Sequence, residues 1–369
     1  MRGSKRLLIP VSFLMGMMVL LQVPAVYAGG AKDSKAASTV SATRVVKDSN
    51  GVDIEIPYEV TRAGPVIGAF AQMTEVLSSG GGKITAAATQ NITDYFKKVF
   101  PDYVKSNPNN FNSSSVEDLI ASATQVAYGP DSIFSAEQRE QLAKAGVVFV
   151  PINNIANVKG MSESFQIIGN ILGEKEAAKA KEFVAYYQGN IDAAKAKTAA
   201  LGEAQKVRFL TMVYSAGAYS TTNGRDISHE YIEAAGGINV AKDYAGPAAG
   251  TALTIDGEQV VKWNPQVIVA SNRSGVDAIL KDPALQTVDA VKAKRVHACP
   301  NGIYRWNVRS GEGAMYPLWL GTLMYPDLFK DIDMKQVVKD FFKNFYSFDI
   351  SAADIEVVLA GDDNTAMTR

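Results

Sequence analysis

Arginine and aromatic residues collect at a few points of the sequence, in or just after short apolar runs that are typical of β-strands. They are Phe70 and Tyr128 in the first half, and Tyr214, Tyr219, Arg273, Tyr304, Arg305, Trp306 and Arg309 in the second. Arginine presents a rigid fork of N–H donors that suits carboxylate, catecholate or oxyanion groups. Tyrosine and tryptophan offer flat faces to planar organic groups or cations. The pattern therefore favours a site that binds an anionic ligand.

Residues for the common kinds of catalysis are scarce. The chain has two histidines, His229 and His297, in separate segments, and a single cysteine, Cys299. Zinc or manganese sites use histidines with carboxylates, and a nucleophilic triad needs a base. We therefore predict no metal site, no resident cofactor and no enzymatic activity. An exported enzyme that acts on a metal chelate is the alternative from a different functional class.

Apolar runs alternate with helical patterns in both halves of the chain. The runs typical of strands are 65–69, 84–88, 125–128 and 147–152, then 207–214, 266–270 and 295–298. Capping boxes, Ser115 with Asp118 and Ser135 with Gln138, predict the starts of two helices. This alternation predicts an α/β protein with parallel sheets, whose ligand loops leave the carboxyl ends of the strands. Before the first run, Asn50-Gly51 predicts a β-hairpin.

A long helical pattern separates the two sets of strands. Over residues 174–201, small or apolar side chains mark one helix face: Ala177, Ala180, Val184, Tyr187, Ile191, Ala194 and Leu201. Such a helix would be about 40 Å long. We therefore predict two Rossmann-like lobes, residues 43–173 and 202–369, joined by one rigid helix over 174–201.

The first 28 residues have the pattern of a secretory signal. Arg2, Lys5 and Arg6 precede an apolar run, and small residues end at Ala28, where cleavage is expected. A flexible leader over 29–42 would follow. No cysteine lies near the cut, so we predict an unlipidated, soluble periplasmic protein. Cleavage would remove three of 37 basic residues and none of 38 acidic ones, and the resulting net charge of −4 argues against nucleic acid as a partner.

Five segments together resemble class III periplasmic binding proteins, which serve ABC importers of iron-siderophores, haem and cobalamin. These segments are Arg62-Ala63-Gly64-Pro65-Val66-Ile67 after the hairpin, Gly169-Asn170-Ile171-Leu172-Gly173, residues 233–241 (Glu-Ala-Ala-Gly-Gly-Ile-Asn-Val-Ala), Trp263-Asn264-Pro265-Gln266-Val267-Ile268 and Tyr325-Pro326-Asp327-Leu328-Phe329. The resemblance covers nearly all of the chain after the predicted signal. It implies a monomer that carries a small-molecule ligand to its cognate permease in the inner membrane.

The resemblance also suggests how each site works. It implies that the strand-end loops line a cleft, so the ligand hypothesis becomes an anionic metal chelate held by Arg273, Arg305 and Arg309 between aromatic walls. The metal in that cargo would be iron or cobalt, and a molybdate- or tungstate-type oxyanion is the alternative. The family docks on its permease through one exposed acid in each lobe. By position, these acids are Glu137 and Asp277.

Overall fold

The computed structural model describes residues 42–88, 92–153, 155–245 and 252–361. The predicted signal, and the predicted leader up to residue 41, lie outside these ranges. Within them, none of the helices is both long enough and apolar enough to cross a bilayer.

The described chain begins with the predicted β-hairpin. Strands β1 (Thr43–Lys47) and β2 (Asp53–Pro57) pair antiparallel. Gly51 has a φ of 78° in the turn, a conformation that glycine adopts without strain. Asp48 accepts hydrogen bonds from the backbone N–H groups of Asn50 and Val52, both at 2.8 Å, which fixes the turn.

The first half of the chain contains a three-stranded parallel sheet. Strands β3 (Ala63–Pro65), β4 (Val126–Gly129) and β5 (Val148–Pro151) lie in that order. The helices of this half are α1 (Gly68–Ser78), α2 (Asp94–Val99), α3 (Pro101–Ser106), α4 (Val116–Ala121), α5 (Ala136–Lys144) and α6 (Val158–Leu172). Both predicted caps are present, because Ser115 begins α4 and Ser135 begins α5. The run predicted as a strand over 84–88 makes only a single bridge, from Ile84 to Ala63.

Helix α7 (Glu174–Thr198) follows the first half and ends three residues before the predicted position. At about 1.5 Å per residue, its 25 residues extend about 37 Å. One face is buried through Ala180, Phe183, Tyr187, Ile191 and Ala194. Four of these five coincide with the predicted stripe, and Phe183 takes the place of its neighbour Val184, so the helical spacing identified the buried face.

The second half contains a mixed sheet. Its strands are β6 (Arg208–Ser215), β7 (Ala218–Thr221), β8 (Ile238–Asn239), β9 (Leu253–Ile255), β10 (Val267–Ala270) and β11 (Val296–Ala298). The order is β11-β10-β6-β7-β9, with β8 also on β6. The helices are α8 (Ile227–Ala234), α9 (Gly257–Trp263), α10 (Arg273–Lys281), α11 (Asp289–Lys292), α12 (Tyr316–Met324), α13 (Met334–Tyr346) and α14 (Ala352–Ala360).

The α/β prediction is confirmed, but the second sheet is not wholly parallel. Strand β7 runs antiparallel to both β6 and β9. The reason is a two-residue turn, Ala216-Gly217, in which both residues have positive φ, 50° and 81°. Such turns match the twist of a hairpin and reverse the chain at once. The segment after β6, which we predicted to be a ligand loop, therefore continues the sheet.

One apolar cluster joins the two halves. It includes residues of α1, α6, α7, α12 and α13, among them Phe165 and Phe183, whose rings stack at 3.9 Å. Smaller clusters lie on the other side of each sheet. One face of helix α7 is therefore part of a core that both halves share, and this core holds α1, α6, α12 and α13 in place.

Candidate ligand-binding site

A cavity of about 900 Å³ opens where loops from both halves meet. Its first wall comes from segments of the first half: Val66, Ile67, Gly68, Ala69, Ala88, Thr93, Ser114, Pro130, Ile133, Asn153, Ile155 and Ala156. Its second wall is a single loop after β11, residues 301–309, which we name the arginine loop. No acidic residue, histidine or cysteine is among the described lining residues.

The first wall consists of strand ends and the start of a helix. Segments after β3, β4 and β5 all reach the cavity, as expected for the carboxyl ends of parallel strands. Helix α1 begins here at Gly68, and its N-cap residue, Ile67, provides no side-chain cap. The first N–H groups of a helix have no partner within the helix, and its N-terminus favours negative charge. This wall therefore offers backbone donors rather than charged side chains.

Asn153 is held in place by a neighbouring acid. Its side-chain oxygen accepts from the backbone N–H of Asp131 at 2.8 Å, and its amide nitrogen donates to the Asp131 carboxylate at 2.7 Å. Asp131 also pairs with Arg139 at 3.0 Å. These bonds lower the pKa of Asp131, with the largest effect from Asn153. Both polar ends of Asn153 are therefore already in use.

The arginine loop carries the positive charge of the site. Arg309 pairs with Asp226, which is 7 % exposed and caps α8, at 3.2 Å. Arg305 is half-buried, and its Nε atom is buried without a hydrogen-bond partner among the described residues. Arg309 shares its charge with Asp226, whereas Arg305 forms no ion pair among the described residues, so Arg305 has the less compensated charge of the two.

Three of the predicted binding residues lie in the cavity wall: Tyr304, Arg305 and Arg309. Burial raises the pKa of Tyr304, against the opposing effect of the two arginine charges. This phenol is therefore neutral at pH 7 and available as a hydrogen-bond donor.

Three others are fully buried behind the walls. Phe70 lies on α1 in contact with Tyr128, and the Tyr128 hydroxyl is hydrogen-bonded to Thr74. Trp306 points away from the cavity and donates its indole N–H to Glu312 at 2.9 Å. Phe70 and Trp306 are each adjacent in sequence to a lining residue, and Tyr128 precedes the lining residue Pro130 by two positions, but all three side chains face the core.

The remaining three lie together outside the described cavity wall. Tyr214 and Tyr219 face each other across the β6–β7 hairpin at 5.4 Å, and the Tyr219 hydroxyl donates to Asp282. Arg273 is the exposed first residue of α10. Arg309 pairs with Asp226, not with Glu312, which lies three residues away in sequence.

Sequence reasoning missed the polar residues of the first wall, Thr93, Ser114 and Asn153, and also Asn301. Asn153 lies two residues after the end of β5, so the strand-end rule applied to that strand would have found it. Thr93 caps α2 through its side chain, which accepts from the backbone of Phe96. A capping role is visible in sequence, but its position at a cavity is not.

The histidines and the cysteine are dispersed. His229 lies 3.5 Å from Glu233 on α8, whereas His297 is half-buried in β11, where burial lowers its pKa. Cys299 is buried, and burial raises its pKa to about 12. In the described part of the chain, no group of three or more His, Cys, Asp or Glu side chains is placed to hold a metal ion.

The sequence profile of the periplasmic binding protein family matches residues 109–302, more than half of the chain. The chain belongs to the periplasmic binding protein family. This confirms the resemblance inferred from the five segments. The matched range includes half of the first-wall residues and ends at the start of the arginine loop.

Relatives and solved structures of periplasmic binding proteins agree with this assignment. The molybdate-binding protein MolA of Haemophilus influenzae is 33 % identical over 113 residues, which are 28 % of this chain and 32 % of MolA. The ABC transporter substrate-binding lipoprotein YvrC of Bacillus subtilis is 26 % identical over 81 % of this chain and 91 % of YvrC.

A periplasmic solute binding protein from Veillonella parvula superimposes with a TM-score of 0.72 at 24 % identity, covering 86 % of this chain and 97 % of that one. MolA with bound molybdate has a TM-score of 0.66 at 20 % identity, covering 84 % and 99 %. These likenesses confirm the two-lobed α/β fold.

Proposed function

We propose that the protein is the substrate-binding component of an ABC importer, and that it captures an anionic metal chelate in the cavity and delivers it to a permease. The observation that carries this proposal is the distribution of charge in the cavity. Arg305 and Arg309 face the first turn of α1 across a space whose described lining has no acidic side chain. An anion would gain from both walls, whereas a bare cation would meet only positive charge.

The size and apolar surface of the cavity support an organic ligand. A volume of about 900 Å³ lies within the range of sites for whole small molecules. Ile67, Ile133, Ile155, Ile303 and Val308 contribute apolar surface beside the arginines. A siderophore, haem or cobalamin-type complex would use both kinds of surface.

A molybdate- or tungstate-type oxyanion is the second candidate. The match to MolA supports it, as do the donors at Arg305 and at the start of α1. A tetrahedral oxyanion would use these donors and leave the apolar part of the cavity unfilled. The chelate is therefore the better match to the whole cavity.

Within this proposal, the predicted binding residues have different roles. Tyr304, Arg305 and Arg309 would contact the ligand. Phe70, Tyr128 and Trp306 would support the walls from behind, because they are fully buried. Tyr214, Tyr219 and Arg273 would contact the ligand only if it extended beyond the cavity towards the β6–β7 hairpin.

The permease would meet the two exposed acids, Glu137 on α5 and Asp277 on α10. The Ser135 hydroxyl donates to Glu137 and lowers its pKa, so this acid stays charged. We expect reversal of both charges to abolish uptake in cells and to leave ligand affinity unchanged. Full uptake by the double variant would exclude this docking site.

Location and assembly follow from the same role. We expect the mature protein to be a monomer in the periplasm, without a lipid anchor, in contrast to the lipoprotein YvrC. An enzyme that processes the chelate would release a changed product, whereas a binding protein returns its ligand intact.

Native mass spectrometry of the protein purified from rich medium, with metal analysis of the same sample, tests the proposal. We expect about one anionic metal complex per chain, released unchanged, and its mass distinguishes a chelate from an oxyanion. The matched control pair is Arg305→Ala, which should lose the ligand, and Arg273→Ala, which should keep it. A ligand without a metal, or a bare metal cation, would contradict the proposal.

A further inference from the structure

A buried carboxylate lies directly behind the arginine loop. Glu312 is fully buried, one residue after Gly311, where a short helical turn leads into α12. Its carboxylate accepts hydrogen bonds from the backbone N–H groups of Gly302 at 3.1 Å and Ile303 at 2.8 Å, and from the Trp306 indole at 2.9 Å. A fourth donor, the Tyr346 hydroxyl, lies at 2.8 Å. Three of the four donors belong to the arginine loop.

The same network reaches the opposite wall. Gln72 on α1 donates its amide to the Tyr346 hydroxyl at 2.6 Å and accepts from the backbone N–H of Gly311 at 2.7 Å. Gln72 and Tyr346 are buried. Helix α1 is the helix whose first turn lines the cavity, so Gln72, Tyr346 and Glu312 connect the two walls from behind.

The arginine loop packs closely against the Glu312 carboxylate. A Cβ atom on Gly302 would lie 2.3 Å from a Glu312 oxygen, so only glycine allows the approach. Apart from the bonds to Glu312, the loop is held by a bridge between Asn301 and Arg305, by backbone bonds from Asn301 to Val358 and from Trp306 to Pro300, by the Ser310 hydroxyl on the Arg305 carbonyl, and by the Arg309–Asp226 ion pair. It has no strand or helix of its own.

A buried glutamate does not by itself indicate a positioning role. Glu75 on α1 is equally buried, yet its recorded side-chain partner is a Ser78 hydroxyl at 3.4 Å, and its Oε1 atom has no partner among the described residues. Glu312 differs because four donors converge on it, and a carboxylate that accepts several N–H bonds orders the segments that supply them.

We propose that Glu312 is a positioning residue of the ligand site: it fixes the arginine loop so that Arg305 and Arg309 line the cavity, and through Tyr346 and Gln72 it sets the loop against α1. The ligand-binding consequence rests on the proposed function. The effect on loop order does not.

Hydrogen exchange of the ligand-free protein tests the loop order. In Glu312→Gln one of the two carboxylate oxygens becomes an NH₂ group that cannot accept, so at least one of the Gly302 and Ile303 amides loses its acceptor and should exchange about ten-fold faster or more, while the β4 amides, Val126–Gly129, exchange as in the wild type. Glu75→Gln is the matched control and should leave Gly302 and Ile303 unchanged. Equal acceleration in the loop and in β4 would mean a merely structural role and would overturn the proposal, as would unchanged loop exchange.

A milder pair of variants covers the case in which Glu312→Gln fails to fold. Tyr346→Phe removes one donor to Glu312 and the link to Gln72, so it should accelerate exchange of the two loop amides by a smaller factor. Tyr95→Phe removes a buried hydroxyl with no partner among the described residues and should leave the loop unchanged. Identical loop exchange in both variants would overturn the link through Tyr346.

A double-mutant cycle tests the consequence for binding, with sodium molybdate and a ferric catecholate complex as probes. If Glu312 acts through Arg305, each single variant weakens binding about ten-fold or more, and Glu312→Gln adds little to Arg305→Ala. If the double variant loses affinity by the product of the two single losses, the proposal is overturned. If neither probe binds the wild type, the proposed ligand class fails, while the exchange experiment still decides the role of Glu312.

Discussion

The two walls of the cavity are built in different ways. The first wall collects residues from several strand ends and from the start of α1, and its polar groups are backbone amides, hydroxyls and the amide of Asn153. The second wall is one loop, and it carries both arginines. Regular secondary structure positions the first wall, whereas side-chain hydrogen bonds position much of the second.

This difference separates two tasks. Strand ends and a helix start hardly move, so they offer a fixed surface with a favourable dipole. In the proposed function, the arginine loop would supply the charge that selects an anion, and substitutions in this loop would change the ligand without changing the sheets. We therefore expect variants of the arginine loop to affect affinity most, and variants of the first wall to affect it least.

The largest effect is expected for Arg305→Ala. Its guanidinium has the less compensated charge of the two in the cavity wall, and loss of a desolvated charge pair weakens binding by about 100-fold, or roughly 2.7 kcal/mol. Calorimetric titration with the co-purified ligand measures this change. Arg273→Ala is the control and should stay within about two-fold of the wild type. A larger loss of affinity for Arg273→Ala than for Arg305→Ala would mean that the ligand binds beside the β6–β7 hairpin and not at the arginine loop.

A smaller loss, about ten-fold, is expected for Arg309→Ala, because Asp226 already shares its charge. This variant also leaves the nearly buried Asp226 unpaired, so its Tm should fall below that of Arg305→Ala. The same titration and a thermal melt measure both changes. Equal Tm values for the two variants would mean that the ion pair contributes nothing to stability.

For the first wall we expect Asn153→Ala to weaken binding by about three-fold at most, since both polar ends of Asn153 bond to Asp131. Thr93→Val serves as a second variant on the same wall. A loss above ten-fold from Asn153→Ala would show that the first wall selects the ligand as strongly as the second.

Glu75→Gln should leave affinity unchanged and alter only the pH dependence of stability. Burial raises the pKa of Glu75 to about 8, whereas the unfolded carboxyl ionises near 4.5. Between these values the native state holds the extra proton, so wild-type stability falls as pH rises from about 4.5 to about 8. The variant should gain roughly 3.5 kcal/mol over the wild type between pH 5 and pH 8 in urea unfolding. If the difference in unfolding free energy between the variant and the wild type is the same at pH 5 and pH 8, Glu75 is ionised in the native state.

Much of the fold follows from local pattern. The Asn50-Gly51 hairpin, the caps at Ser115 and Ser135, and the helix from Glu174 are each specified by neighbouring residues. The β6–β7 hairpin was not expected, because its turn begins with Ala216, which seldom adopts positive φ. Its neighbour Gly217 was the only local indication.

The sequence indicated which residues lie near the cavity better than it indicated which way their side chains point. The strand-end rule found Arg305, Arg309 and Tyr304, but it gave no direction for the side chains of Tyr128 and Trp306, which turn into the core. Glu312 lies only three residues from Arg309 in sequence, but the two do not pair. Its actual partners include Tyr346, 34 residues away, and no local pattern indicates such a contact.

The most direct test of the central claim is an anomalous difference map from crystals of the protein purified with its ligand, recorded at the absorption edge of the metal found in it. We predict one peak inside the cavity, between the first turn of α1 and the Arg305 guanidinium. A peak beside Arg273 and the β6–β7 hairpin, or on the first wall beyond reach of Arg305 and Arg309, would contradict the account.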